Sequence, residues 1–342
     1  LDVKDPGRAP VWELIAPVLR NTGEFEWEIP AKVSSFVKVR VLDARDADAM
    51  DESGAVFKIL ARFKFISPAV GDKLFVADRY EIRWETAGEV PSVQLGFAVS
   101  PGFEPPSAFK AVEGPVANRG SYHWTVPDAV SESVWLKISD AREPNAFQIT
   151  PLPFKIRGKF HWKLPEGKLN WPVASQQTLQ WETVGTIPRI NLAYRLPQGK
   201  EWKTIAREIP NTGNFAWVIP PDVSDRIVLR VSDAANPEVF RDSAPQLVIA
   251  ARFRFVSPAE GEALTVGSDY KIRWETDGHV PKIWLDYSAG DRWVSFAGPM
   301  ADAGDHTWRV PDVISPHVQL RLRDGDNPDA FAVSAPFKVL GT

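Results

Sequence analysis

One clause recurs four times in this chain: an Asn/Asp-x-Gly turn, aromatic-x-Trp-x-x-Pro, then an alternating apolar strand ending in Asp. The copies run Asn21-Thr22-Gly23 to Asp43, Asn118-Arg119-Gly120 to Asp140, Asn211-Thr212-Gly213 to Asp233 and Asp302-Ala303-Gly304 to Asp324. Their tryptophans, Trp27, Trp124, Trp217 and Trp308, step by 97, 93 and 91 residues. A second clause, Trp-Glu-Thr, opens at Trp84, Trp181 and Trp274 with the same first two steps, and has no copy ahead of Trp27. A fixed period of this length means an array of like modules, each one folding unit.

The boundaries that follow are 1–60 for a partial module and 61–158, 159–251 and 252–342 for complete ones. Each complete module is long enough to bury its own core. With 44% apolar and 25% charged residues the composition is that of globular protein. Thirty prolines suit strand edges and turns. A net charge of −4 without a basic stripe excludes a nucleic-acid surface as the expectation. No cysteine is present, so disulfides, thiol chemistry and cysteine metal sites are excluded. No apolar run reaches the roughly 18 residues needed to span a bilayer.

Module 4 shows the local pattern most clearly. Tyr270, Ile272 and Trp274 alternate with Lys271, Arg273 and Glu275, a period-2 strand with one apolar face. Ile283, Leu285 and Tyr287 repeat it, as do His306, Trp308 and Val310, then Val318, Leu320 and Leu322. Phe253 and Phe255 open the module, Ala263–Val266 and Trp293–Phe296 supply short strands, and 331–339 closes it. Modules 2 and 3 carry the same series. Seven or eight short strands with turn chemistry between them predict an all-β chain of tandem Ig-like or fibronectin-like antiparallel β-sandwiches. Trp84, Trp124, Trp181, Trp217, Trp274 and Trp308 are predicted to fill the cores, with Trp27 as their equivalent in module 1.

Leu1 aligns with Leu95, Leu192 and Leu285, so module 1 lacks the first strands and the Trp-Glu-Thr strand. Half a sandwich cannot bury its apolar face. The chain therefore reads as a piece of a longer protein, or as one whose first module is completed by another chain. Between modules there is almost no linker, as in Phe57-Lys58-Ile59-Leu60-Ala61-Arg62-Phe63. Flexible linkers are longer and Gly/Ser-rich. An elongated, semi-rigid rod is the expectation.

The pattern Ser-Pro-x-x-Gly-Glu…Tyr-x-Ile-x-Trp-Glu-Thr…Asn-Thr-Gly-x-Phe-x-Trp-x-x-Pro…Arg-Val-Ser-Asp-Ala-x-Asn-Pro resembles the Ig-like module named after yeast cell-wall β-glucan assembly proteins. That module also recurs in tandem in bacterial secreted and surface proteins. The resemblance covers essentially the whole chain. It implies an Ig-like sandwich, an exported location and no catalytic residues. Module 3 departs from it with Leu164-Pro165-Glu166-Gly167 in place of the Ser-Pro turn, and module 2 with a proline-rich loop at 100–107.

Several residue sets are of types that carry chemistry elsewhere. Glu85, Glu182 and Glu275 of Trp-Glu-Thr are one step out of phase with the tryptophans, which places them on a solvated face. The acidic loops containing Asp43, Asp46 and Asp48, and Asp324 and Asp326, offer oxygen ligands for calcium; neither has EF-hand spacing, and Asp also caps turns without metal. His123, His161, His279, His306 and His317 are scattered. No nucleophile elbow, P-loop or dinucleotide fingerprint occurs. Trp135 and Trp284 fall out of the inward phase and are predicted on outer sheet faces. There they would contact a protein partner or a sugar ring, unless a neighbouring loop or module covers them.

The chain thus reads as a non-enzymatic stalk or filament component at the cell surface, with no cofactor. Its expected partners are copies of itself, other surface proteins or polysaccharide. The rival reading is a carbohydrate-binding or accessory segment of a larger secreted enzyme or adhesin.

Overall fold

Every complete module forms the two sheets that the period-2 runs predict. The computed structural model describes residues 11–102, 104–197, 199–244 and 247–341. The alignment of Leu1 lies outside them. Contacts divide the chain into two compact units, one running to Gly158 with Val184–Thr186, the other made of Lys159–Thr183 and the residues from Ile187 on.

Module 4 stands for the others. Its smaller sheet has the strands Arg252–Ser257, Asp269–Asp277 and Asp305–Arg309, in that order. In its larger sheet, Ala263–Thr265 runs parallel to Phe337–Leu340, followed by Ser315–Asp324, Ile283–Ser288 and Val294–Met300; Phe331–Val333 pairs with Ser315–Asp324. The closing segment is therefore two strands rather than one. Trp274, Ile272, Leu285, Leu320, Trp308 and Phe337 meet between the sheets. Equivalent clusters surround Trp84 and Trp124 in module 2 and Trp181 and Trp217 in module 3. Fully burying side chains of this size contributes on the order of 2–3 kcal/mol each, which offsets the ordering of short strands without a disulfide.

The two repeated clauses are halves of one device. In module 2 the Trp84 indole Nε1 donates to Asn118 Oδ1 at 2.8 Å, and the Trp84 backbone N donates to Gly120 O at 2.9 Å. Module 3 repeats this with Trp181, Asn211 and Gly213 at 2.8 and 3.0 Å, and module 4 with Trp274, Asp302 and Gly304 at 2.7 and 3.0 Å. Thr86 and Thr183 also bond Asn118 and Asn211. The glycine has positive φ, and a Cβ on Gly120 or Gly213 would lie 3.3 Å from the tryptophan carbonyl. The turn needs glycine for both reasons. The Asn amide nitrogen also reaches the loop that leads into the next strand, donating to Val90 O at 2.9 Å and Ile187 O at 2.8 Å. The glutamates face outward and pair with the first strand: Lys64 with Glu85 at 3.6 Å, Lys163 with Glu182 at 3.3 Å, and Arg254 with Glu275.

Module 1 differs. Its described strands form two pairs, Ser34–Val37 with Phe57–Ile59 and Arg40–Leu42 with Met50–Glu52. Between residues 11 and 60 only Val37 and Ile59 are buried apolar residues. Trp27, predicted as core, is only half-buried and lies in no strand. In module 2 the equivalent strand Ser121–Thr125 is held by Arg79–Ala87; no such strand faces Trp27 among the described residues.

Within each unit, adjacent modules meet through the same two elements. The glycine four residues after each Trp-Glu-Thr tryptophan has positive φ. A Cβ on Gly88 would lie 3.2 Å from Val33 and 3.3 Å from Ala61, and one on Gly278 2.5 Å from Val223 and 3.2 Å from Val173. The loop after the Asp-ending strand is the second element. Glu143 takes Lys58 at 2.6 Å and Ser35 at 3.2 Å, while Asp329 takes Lys168 at 3.1 Å and Asn327 donates to Asn170 at 3.4 Å.

Candidate functional site

The acidic loops are spent on their own turns and on these joints. Asp43 Oδ1 accepts from Arg45 N at 2.8 Å, and Asp46 Oδ1 from Asp48 N at 3.0 Å. Asp324 Oδ1 accepts from Asp326 N and Asn327 N at 2.8 and 3.3 Å, and Asp326 pairs with Lys282 at 3.4 Å. Among the described residues no three metal-ligating side chains converge. Of the calcium candidates, Asp43, Asp46 and Asp324 thus cap turns and Asp326 pairs with a lysine, while the Asp48 backbone N closes one of those turns. Of the histidines, His306 is half-buried against Phe296, and the other four are exposed on separate elements.

Trp135 is not an exposed contact residue: it is 2% exposed. Strand phase does put it on the outer face, opposite Ala98. Its same-face neighbours Ser133 and Lys137 each contact a described residue that follows the strand Ser92–Val99. Ser133 Oγ donates to Gly102 O at 2.6 Å, and Lys137 Nζ stands 5.9 Å from the Phe109 ring. The buried Trp135 Nε1 finds no acceptor among the described residues. Trp284 is half-buried, with the Arg323 guanidinium over its ring at 5.0 Å.

These contacts belong to a repeating feature that the strand-by-strand reading missed. Trp12, Phe109, Trp202 and Trp293 each lie fifteen residues before the clause tryptophan, and Arg40, Lys137, Arg230 and Arg321 each thirteen after it. All four pairs stack, at 3.8, 5.9, 4.0 and 4.7 Å from cation to ring centroid. The cation points outward because it sits between inward residues, as Arg230 does between Leu229 and Val231. In module 3 the stack is a sandwich: Arg230 lies between Trp202 and Phe240, 3.9 Å from the latter, and bonds Asp242 with two nitrogens at 2.7 and 2.9 Å. In module 4, Arg321 and Arg323 both bond Asp286, which is fully buried beneath them. Burial pushes the Asp286 carboxyl up, but hydrogen bonds from Ser295, Arg323 and Arg321, with the Arg323 charge, hold it below its ordinary value. Such stacks contribute roughly 0.5–2 kcal/mol each. Their spacing was visible in the sequence, although cations at outward strand positions look like ordinary solvated residues.

Module 3 has two open hollows. One, of about 300 Å³, is lined by His161, Trp162, Glu166 and Arg241, among others. The other, of about 330 Å³, is lined by Arg195, Leu196, Pro197, Gly199, Lys200, Arg226 and Val228. Ser243, which also lines the first, is buried with its hydroxyl bonded to Leu229 N and Ala244 O.

No family model matches the chain, and no curated protein matches it. Among solved structures it is similar to the N-terminal four Ig domains of Dscam1 isoform 6.44, at 10% identity over 85% of this chain and 77% of that one, with a TM-score of 0.30. It is also similar to extracellular domains 3–5 of Drosophila OTK (10% identity, 81% and 97% covered, TM-score 0.29) and to the titin I-band fragment I67–I69 (10% identity, 83% and 100% covered, TM-score 0.28). At this level the likeness concerns fold and carries nothing about function. By its own strand topology the chain is an all-β array of tandem Ig-like sandwiches.

Proposed function

We propose that the chain is a non-enzymatic structural repeat segment of an extracellular, cell-surface assembly, acting through reach and contact. The observation that carries this reading is the joint. Gly88 and Gly278 are packed against the preceding module, tightly at Gly88 and so closely at Gly278 that an added Cβ would displace Val223, and the Glu143 and Asp329 loops clasp the same neighbour. Such joints limit bending between modules, which a spacer or filament part requires and a freely jointed chain does not provide. The modules are proposed to be of the type found in cell-wall β-glucan assembly proteins, and the partners to be copies of the chain or other surface proteins. Electron microscopy of the native material, with light scattering from the purified chain over a concentration series, tests the reading. Fibres or concentration-dependent lateral association support it. Turnover of a glycoside or peptide substrate by the purified chain overturns it.

The second reading is a carbohydrate-binding or accessory segment of a larger secreted protein, favoured by the half-buried outer-face tryptophans of modules 3 and 4. A strictly monomeric chain retained in a polysaccharide-containing gel would select it over the first.

A further inference from the structure

The larger hollow of module 3 is cationic. Arg195 ends the strand Arg189–Arg195 and faces outward opposite Val228. Arg226 stands two residues before Val228 on the same face, and Lys200 follows the turn closed by Gly199 N to Leu196 O at 3.1 Å. These three cations line one hollow that no carboxylate lines. Glu201 and Asp225, their neighbours in sequence, are not part of its wall. Among the described residues none of the three forms an ion pair, whereas nearby Arg230 is neutralised by Asp242 and Lys203 by Asp222 at 2.8 Å.

The fold does not demand these charges. At the place of Arg195, modules 2 and 4 carry Ala98 and Ser288; at that of Arg226, Ser133 and His317; at that of Lys200, Ser107 and Asp291. Gathering three like charges raises the local positive potential and disfavours the folded state unless an anion answers it. Arg195 is also held in place. Its guanidinium lies over the Trp202 ring at 4.8 Å, and the other stacking arginine, Arg230, is fixed by Phe240 and Asp242. Stacking uses the flat face of a guanidinium and leaves the N–H edge free to grip an oxyanion with two parallel bonds. The hollow is at the small end of ligand sites, right for one acidic group and its immediate carrier. Nucleic acid would need a basic track, and the chain's net charge is −4.

We propose that Arg195, Lys200 and Arg226 form an oxyanion site that takes a carboxylate or sulfate group. This goes beyond the structural-repeat reading and does not rest on it, since a chain that fails to assemble can still bind. The test is titration calorimetry of the full chain at low ionic strength, where screening is weak, with free galacturonate, sodium sulfate and polygalacturonate as probes. Binding is expected for at least one probe. Arg226→Ala, an exposed residue, and Arg195→Ala are each expected to weaken it by at least about tenfold, and Lys338→Ala, on module 4, to leave it within twofold. Equal per-site affinity for free and polymeric galacturonate identifies a free anion as the ligand, and binding of the polymer alone identifies a polysaccharide. No heat with any probe, or unchanged binding in Arg226→Ala with an unchanged melting curve, overturns the proposal.

Discussion

Module 4 carries Asp302 where its siblings carry asparagine, and the difference leaves two groups without the partners they have elsewhere. Asn118 and Asn211 each accept from an indole and donate to a loop carbonyl, Val90 O or Ile187 O. A carboxylate cannot donate, so Asp302 keeps only the first bond, from Trp274. Thr276 Oγ1, whose counterparts Thr86 and Thr183 bond the asparagine, is buried with no partner among the described residues. Asp302→Asn is therefore expected to stabilise module 4. It supplies one donor for Val280 O and one for Thr276, at about 0.5–1.5 kcal/mol each, and loses part of the charge-assisted bond from Trp274, so the net gain is about 1 kcal/mol. The converse, Asn118→Asp, removes the donor to Val90 O and is expected to destabilise module 2 by about 1–2 kcal/mol. Hydrogen exchange on the full chain reads both locally. Exchange in Asp269–Asp277 slows about fivefold in the first variant, and in Arg79–Ala87 it speeds up by fivefold or more in the second. Faster exchange in Asp302→Asn, or no change in either variant, would refute the idea that the amide ties the tryptophan strand to the loop that follows it.

Three further outcomes are expected. Trp135→Ala, at a buried outer-face position, should cost module 2 about 3–5 kcal/mol in denaturant unfolding, as for any large buried side chain; a change below about 0.5 kcal/mol would mean that the indole is open to solvent. Gly278→Ala, at positive φ and against Val223, should loosen the joint between modules 3 and 4 while each module keeps its own hydrogen-exchange protection; an unchanged cleavage rate at 250–252 under limited proteolysis would count against the joint. Asp286, whose folded-state pKa lies below its unfolded one, contributes stability that is present above the usual carboxylate pKa of about 4 and is lost as pH falls through the folded value. Module 4 should therefore lose stability in acid more steeply than an Asp286→Asn variant, and parallel pH profiles would exclude that role.

Much of the fold was legible because aromatic and β-branched residues alternate at period 2 and the turns are spelled in Asn, Gly and Pro. Trp84, Trp181 and Trp274 sit in their cores for that reason. Phase tells which face a side chain takes, and not what lies on that face. Trp135 shows the difference: its outward phase is real, and it is buried all the same. Trp27 shows another: core position in a strand pattern becomes burial only when a partner strand covers it. The role of Asn118 and Asn211 as acceptors for an indole some thirty residues earlier cannot be read from either clause alone. The cationic hollow depends on Lys200 standing beside residues from two strands, which no local pattern records.

The tie between indole and asparagine also limits how such a chain can change length. Its two ends lie in different clauses of one module, so a duplication or deletion that begins and ends at matching points restores every tie. One that is out of phase leaves an indole on one side of the break and its acceptor on the other, with a buried donor unanswered. Arrays of this kind are therefore expected to lengthen and shorten across evolution in whole-module steps, with module-specific features such as Arg195 and Arg226 carried along intact or lost together.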